Sequence, residues 1–150
     1  MKILVAGIIA RYPFGGVTWC SLMYLLGLRA LGHEVFYIED TGECVYDPVQ
    51  NTRSTDPSYG TSYIHSALEP FGLGDRWAFV NYDGSYHGKG ANDVREFCRD
   101  ADVFLGFLAG PGTSHEPDRL PGAELAAESF RQERGHRAEP RRIRRLGSRA

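Results

Sequence analysis

Residues 2–40 constrain the fold most strongly, because they follow the order strand, glycine-containing loop, helix and strand. Residues 3–10 are apolar apart from Gly7, as in a strand that helices cover on both faces of a parallel sheet. A break at 11–16, with a proline and two glycines, separates this run from a helical segment, and residues 35–38 form a second apolar strand. The stretch therefore predicts one βαβ unit with a right-handed crossover.

The predicted helix of this unit has a start signal, an apolar pattern and a stop signal. Thr18 is the predicted N-cap, and Gly32 follows the apolar pattern as a C-terminal stop. Apolar side chains recur at helical spacing between them: Trp19, Leu22, Met23, Leu26 and Ala30. The segment 17–31 is shorter than the ~20 residues that a membrane span needs, so it is predicted to be a buried helix rather than a transmembrane one.

The chain up to residue 106 continues the alternation of strand and helix. Four apolar segments are predicted strands, near residues 2–10, 35–39, 77–82 and 102–106. Two more helices and two loops are predicted between them: helices at 63–71 and 92–101, loops at 41–60 and 85–91. This alternation predicts an α/β fold, a doubly wound, Rossmann-like parallel sheet with strand order 3-2-1-4.

Composition and charge are those of an ordinary globular protein. Of the 150 residues, 42% are hydrophobic and 24% are charged, and the net charge of -2 argues against a general nucleic-acid binder. The three cysteines, Cys20, Cys44 and Cys98, are scattered, which favours a reducing compartment over a disulfide framework or a zinc site. Because no cleavable leader or transmembrane segment is recognisable, the expected location is the cytoplasm.

The last 45 residues, 106–150, have a different composition. They contain nine Arg, six Gly, six Ala and four Pro, but no Lys, Val, Tyr, Trp, Asn, Cys or Met, and their net charge is +3 against -5 for the preceding part. The sequence therefore predicts a Rossmann-like domain at 1–106 and a weakly structured tail at 107–150, with a helix near 121–131 as the exception. GC-rich codons encode those four residues, so a frameshift near codons 105–108 of a longer gene is one interpretation and a natural basic tail is the other.

The glycine loop before the first helix is the sharpest functional signal. It is not the dinucleotide-binding fingerprint, because that motif needs three closely spaced glycines and Gly7 lies eight and nine residues before Gly15 and Gly16. A glycine pair at a helix start instead offers backbone N–H groups and the positive end of the helix dipole to a phosphate or another anion. The alternative is a turn that requires a positive φ angle.

Four further residues are candidates for a site. Glu39 ends the second strand, where a Rossmann domain places a ribose-binding acid, although a turn also begins there. Asp83 and His87 flank the loop after the third strand and could pair as an acid and a base. His65, on the second helix, is a candidate base or else an ordinary surface histidine. The sequence contains no metal-ligand cluster, nucleophile elbow or P-loop.

Several segments of the chain resemble one enzyme family. They are residues 1–5 (MKILV), 14–17 (FGGV), 27–35 (GLRALGHEV) and 99–105 (RDADVFL). In this order they resemble the N-terminal domain of glycosyltransferases with two Rossmann-like domains, the GT-B fold, over about residues 1–105. In that family the N-terminal domain mainly holds the acceptor, and its first loop approaches the diphosphate of the sugar donor.

The resemblance implies a cleft that contains Gly15, Gly16 and Thr18, with Asp83 or His65 as the base that deprotonates the acceptor hydroxyl. It also implies small-molecule partners, a nucleotide sugar as substrate and an unidentified acceptor, with no separate cofactor. The nucleotide-binding second domain of the family has no counterpart within the 150 residues, so we expect this chain alone to transfer no sugar.

Two other functions remain open from the sequence. The first is a single-domain nucleotide-binding reductase or epimerase, which would bind NAD although the chain lacks the dinucleotide fingerprint. The second is a flavodoxin-like module without enzymatic activity, which would bind no nucleotide sugar.

Overall fold

The computed structural model describes residues 1–40 and 42–106. Its strands are β1 (Lys2–Ala6), β2 (Glu34–Asp40), β3 (Val45–Asp47), β4 (Thr52–Ser54), β5 (Trp77–Val80), β6 (Tyr86–Gly88) and β7 (Val103–Gly106). Its helices are α1 (Gly15–Ala30), α2 (Ser58–Leu68) and α3 (Ala91–Asp100), and a short 3-10 turn, Glu69–Phe71, continues α2. The predicted tail at 107–150 and the helix expected near 121–131 lie outside the described residues.

Five strands form one mostly parallel sheet in the order β6-β5-β2-β1-β7. The four strands β5, β2, β1 and β7 run parallel to one another, which confirms the predicted order 3-2-1-4. In this register Ile3 of β1 lies between Val35 and Val103. The protein is thus an α/β protein with a mostly parallel central sheet.

The antiparallel edge strand β6 is an addition to the predicted sheet. The sequence predicts a loop at 85–91, and this prediction is wrong for the three residues that pair with β5. The strand is short and mostly exposed, so it carries no apolar alternation that the sequence could reveal. Gly88 has φ 76°, and a Cβ there would lie 2.6 Å from the Trp77 carbonyl oxygen, so glycine allows the close crossing.

Helices cover both faces of the sheet. On one face the sheet packs against α1 and α2, through Ile3, Val5, Val35, Tyr37, Trp77 and Phe79 on the strands and Leu22, Leu25, Ile64 and Leu68 on the helices. On the other face it packs against α3, through Leu4, Ala6, Phe36, Ile38 and Ala78 on the strands and Val94, Phe97 and Cys98 on the helix. Burial of both faces explains why β1, β2 and β5 are continuous apolar runs.

The buried face of α1 differs from the predicted one. The buried residues are Thr18, Ser21, Leu22 and Leu25. Trp19 and Met23 are 59% and 52% exposed, so the prediction that they face the core is wrong. A small side chain is needed at Ser21 because the helix crosses close to Gly7, where a Cβ would lie 3.1 Å from Ser21 Oγ and 2.6 Å from Tyr37 Oη.

The predicted loop at 41–60 contains an antiparallel hairpin, β3 with β4, and the first residues of α2. The carboxylate of Asp47 accepts hydrogen bonds from the N–H groups of Val49 and Gln50, and Asn51 has φ 52°. These features turn the chain locally. Strands of three residues leave no sustained periodicity, and for that reason the sequence predicted a loop.

None of the helices in the described ranges combines the length and the apolar character that crossing a membrane requires.

Candidate functional site

The carboxyl ends of β1 and β2 lie side by side and lead into the segments that form the candidate site. After β1 the chain forms a loop at residues 7–14, the β1–α1 loop, and α1 then begins at Gly15. Phe14 is the N-cap residue, with an extended backbone (φ -116°, ψ 141°), and no described side chain caps the helix. In open α/β sheets ligands bind outside the carboxyl ends of the strands, so this edge is where a site is expected.

The first turn of α1 is open to solvent. The Thr18 N–H bonds to the Phe14 carbonyl oxygen at 3.0 Å, so the N–H groups of Gly15, Gly16 and Val17 face out of the helix end. Both glycines are exposed, and a Cβ at either would meet no described heavy atom within 4 Å apart from its own helix neighbours. The sequence of this turn holds no acidic residue, so it leaves the positive end of the helix dipole available to an anion.

Thr18 lies within the first turn of α1 rather than at its N-cap, so the predicted capping role is wrong. Its side chain is buried. The hydroxyl donates to the Phe14 carbonyl oxygen at 3.0 Å and lies 2.9 Å from the Tyr63 hydroxyl on α2. Thr18 therefore connects the start of α1 to α2. Its effect on a ligand would be indirect, because its side chain fixes the position of the helix start.

Glu39 lies beneath the β1–α1 loop and is completely buried. Its Oε2 accepts the Ala10 N–H at 2.7 Å and its Oε1 accepts the Arg11 N–H at 2.6 Å. The Tyr37 hydroxyl donates to Oε2 at 3.1 Å and accepts the Ile9 N–H at 3.0 Å. Burial raises the pKa of Glu39 to about 7, although the bonds from the two N–H groups and the Tyr37 hydroxyl act against this.

The position of Glu39 at the end of the second strand matches the prediction, but both of its oxygens are bonded to the protein's own loop. In this structure Glu39 supports the loop from within. Its predicted contact with a ribose stays a prediction that would require the loop to move.

Arg11 places a positive charge next to the loop, and its side chain is 17% exposed. Its guanidinium forms an ion pair with Glu43 and lies 5.1 Å from the centre of the Tyr12 ring. Its carbonyl oxygen accepts the Tyr46 N–H at 2.9 Å, and the Tyr46 ring packs 5.4 Å from the Phe14 ring. The β3–β4 hairpin thus covers one side of the loop.

The two candidate bases lie elsewhere. Asp83 is exposed in the turn after β5, where the Ser85 hydroxyl and N–H hold the pKa of its carboxyl below the usual range. The Ser85 hydroxyl also lies 3.4 Å from His87 Nε2. His65 and His87 line one open groove of about 360 Å³ between α2 and β6. The structure therefore brings His65 towards His87 and links Asp83 to His87 through Ser85. The direct acid–base pair of Asp83 and His87 stays a prediction.

The candidate bases and the helix start do not form one cluster in the described residues. Strand β5, which leads to Asp83, is separated from β1 by β2, a distance of roughly 10 Å between strand axes. The groove with His65 and His87 lies at the β6 edge of the sheet. A ligand that reached both regions would have to extend over the carboxyl edge of the sheet.

Sequence reasoning missed several residues of this region. Arg11, Tyr37 and Tyr46 hold the loop through contacts between segments far apart in the chain, which local patterns do not reveal. Asn81, directly after β5, is buried, and its side-chain oxygen has no hydrogen-bond partner among the described residues. The available signal for Asn81 was a polar residue near the carboxyl end of the predicted apolar strand at 77–82.

Comparison with known proteins finds no match: no family model, no curated protein and no solved structure matches the chain.

Proposed function

We propose that residues 1–106 are the acceptor-side half of a glycosyltransferase of the GT-B type, a doubly wound Rossmann-like domain that acts with a second nucleotide-binding domain. The enzyme would transfer a sugar from a nucleotide diphosphate donor to the hydroxyl of an acceptor, in the cytoplasm. The proposal draws on the sequence resemblance, and the mostly parallel sheet agrees with it. One structural observation carries it furthest, the open first turn of α1 at the carboxyl edge of that sheet.

The expected chemistry follows from that turn. The oxygen of the acceptor would attack the anomeric carbon of the sugar, and the bond from that carbon to the diphosphate would break, leaving its electron pair on the diphosphate. The N–H groups of Gly15, Gly16 and Val17 are suited to stabilise this developing negative charge, because they are fixed before the reaction begins.

A base must take the proton of the acceptor hydroxyl. Asp83 is a weak base, because its hydrogen bonds to Ser85 favour the ionised form and lower its pKa. The groove with His65 and His87 offers imidazole groups in addition. The acceptor would then lie between the helix start and that groove.

Binding of uridine diphosphate and of pyrophosphate tests the anion site in the full chain. Titration followed by amide NMR should shift Gly15, Gly16 and Val17 before other residues. Gly16→Asp should abolish this binding, because it adds a negative charge to the first turn. Gly27→Asp is the matched control, since Gly27 is also exposed on α1 with open space around it, and it should bind like the wild type.

Three outcomes would count against the proposal. Equal loss of binding in both aspartate variants would show that net charge rather than the helix start determines affinity. Absence of any shift at the three amides would remove the anion site. Binding of NAD without binding of nucleotide diphosphates would favour a reductase or epimerase instead.

A further inference from the structure

The β1–α1 loop is held at three consecutive backbone N–H groups by side chains of β2. Tyr37 accepts the N–H of Ile9, and Glu39 accepts those of Ala10 and Arg11. These bonds join residues 28 or 29 positions apart in the sequence. The loop ends at the helix start, so its conformation determines where the first turn of α1 presents its N–H groups.

We propose that Glu39 is a positioning residue that couples the β1–α1 loop to proton concentration: ionised, it holds the loop through Ala10 and Arg11, and on taking up a proton it loosens that hold. The coupling between Glu39 and the loop does not depend on the proposed function. Only the statement that the helix start binds an anion rests on that function.

The geometry of the donors supports this role. Three donors converge on the two oxygens of Glu39, namely two backbone N–H groups and the Tyr37 hydroxyl. An ionised carboxylate is an acceptor only and can satisfy all three. A protonated carboxyl brings a fourth hydrogen into a fully buried site, so at least one of the existing bonds must change.

The Tyr37 hydroxyl offers a place for that hydrogen. The hydroxyl lies between the Glu39 carboxyl and the Ser21 side chain of α1, and Ser21 forms a hydrogen bond with it. A protonated Glu39 can donate to the Tyr37 oxygen while the Tyr37 hydrogen turns to Ser21 Oγ. The carboxyl then stays satisfied, but the bonds from Ala10 and Arg11 lose their charge assistance and become about half as strong.

Among residues 1–40 and 42–106, few other charged or titratable groups face Glu39. The β1–α1 loop contributes the Arg11 guanidinium, which is also paired with Glu43 from the segment after β2. On β2 the phenol of Tyr37 faces Glu39, and burial raises the pKa of this phenol well above its ordinary value. Helix α2 meets the loop with Gly60, at which a Cβ would lie 2.5 Å from the Ala10 carbonyl oxygen.

Amide and carboxyl NMR of the full chain between about pH 3.5 and 8.5 tests the coupling directly. We expect the Ala10 and Arg11 amide shifts to share one midpoint with the Glu39 carboxyl carbon, near pH 7. Wild-type protein alone gives this result, so the test does not depend on a variant that folds. A Glu39 carboxyl that titrates near its ordinary value, 4.5, would overturn the proposal, as would two amides that do not titrate with it.

Two variants separate coupling from mere support. Glu39→Gln should abolish the shared midpoint at Ala10 and Arg11, and its survival there would assign the titration to another group such as a histidine and refute the role of Glu39. Glu34→Gln is the control, because it makes the same change at an exposed position on the same strand and should leave the midpoint in place. If pyrophosphate fails to bind while the midpoint appears, the anion site fails and the coupling stands.

Discussion

Gly60 of α2 lies close against Ala10 of the β1–α1 loop. We expect Gly60→Ala to destabilise the protein by about 1–3 kcal/mol, because the added Cβ would lie 2.5 Å from the backbone oxygen of Ala10 and neither helix nor loop can shift freely. Gly27→Ala is the control at an exposed helical position with open space, where the same change should stabilise by about 0.5–1 kcal/mol. Urea unfolding measures both, and equal effects would contradict the packing argument.

Glu39 should also determine how stability depends on pH. Burial raises its pKa in the folded chain to about 7 from an ordinary 4.5, so the folded state binds the proton more tightly than the unfolded chain. Its contribution to the free energy of unfolding is therefore largest below pH 4.5 and decreases as the pH rises to about 7, by roughly 3 kcal/mol in total.

The measurement is the difference in unfolding free energy between Glu39→Gln and the wild type at pH 5, 6, 7 and 8. The difference should shift in favour of the glutamine variant as the pH rises and become constant above about pH 8, because glutamine does not titrate. A difference that shifts in the opposite direction would mean that Glu39 is more acidic in the folded protein.

For single residues the sequence predicted positions better than partners. It placed Glu39 at the end of the second strand and the glycine pair at a helix start, both correctly, because strand ends and glycines leave local signals. It could not predict that Glu39 bonds to Ala10 and Arg11, since this depends on how a loop folds back over a strand 28 or 29 residues later.

Helix α1 shows the same limit for a whole element. The sequence predicted its existence and its end, but it assigned Trp19 and Met23 to the buried face because it considered apolar residues alone. The helix packs so closely over Gly7 and Tyr37 that small polar residues, Thr18 and Ser21, occupy part of the contact. The size of the space between two elements is a property of their packing, and no single segment encodes it.

The corrected face of α1 can be tested by two truncations. Leu25→Ala should destabilise the protein by about 2–5 kcal/mol, because Leu25 is completely buried between the helix and the sheet. Met23→Ala, two positions earlier on the exposed face, should change stability by less than about 0.5 kcal/mol. Denaturant unfolding of both variants decides between the two faces, and a larger effect at Met23 would restore the predicted one.

At the scale of the whole molecule, the sheet was the most predictable feature. The apolar runs of β1, β2 and β5 are buried and that of β7 is partly buried, and their order and parallel direction follow from alternation with helices. The sequence did not predict the hairpin of β3 and β4 or the edge strand β6. Each of these strands has three residues and is held by turns and by packing rather than by an apolar pattern.

The purified 150-residue chain should show no detectable sugar transfer with any nucleotide sugar. The proposed function assigns half of the cleft and the main donor site to a second domain, which the described residues do not form. Mass spectrometry of reaction mixtures with a panel of nucleotide sugars and simple acceptors, compared with a boiled control, is the measurement. Turnover would show that one domain is sufficient and would refute the two-domain proposal.

The exposed face of α1 carries a tryptophan that spectroscopy can distinguish from the tryptophan in the core. The chain has two tryptophans, Trp19, which is 59% exposed on α1, and Trp77, which is buried in β5 and donates its indole N–H to the Gly74 carbonyl oxygen at 2.9 Å. Their fluorescence should therefore separate, with iodide quenching Trp19 and leaving Trp77 bright. A Trp19→Phe chain would report only on the core, while the quenchable fraction of the wild type would report on whatever covers the helix near its start.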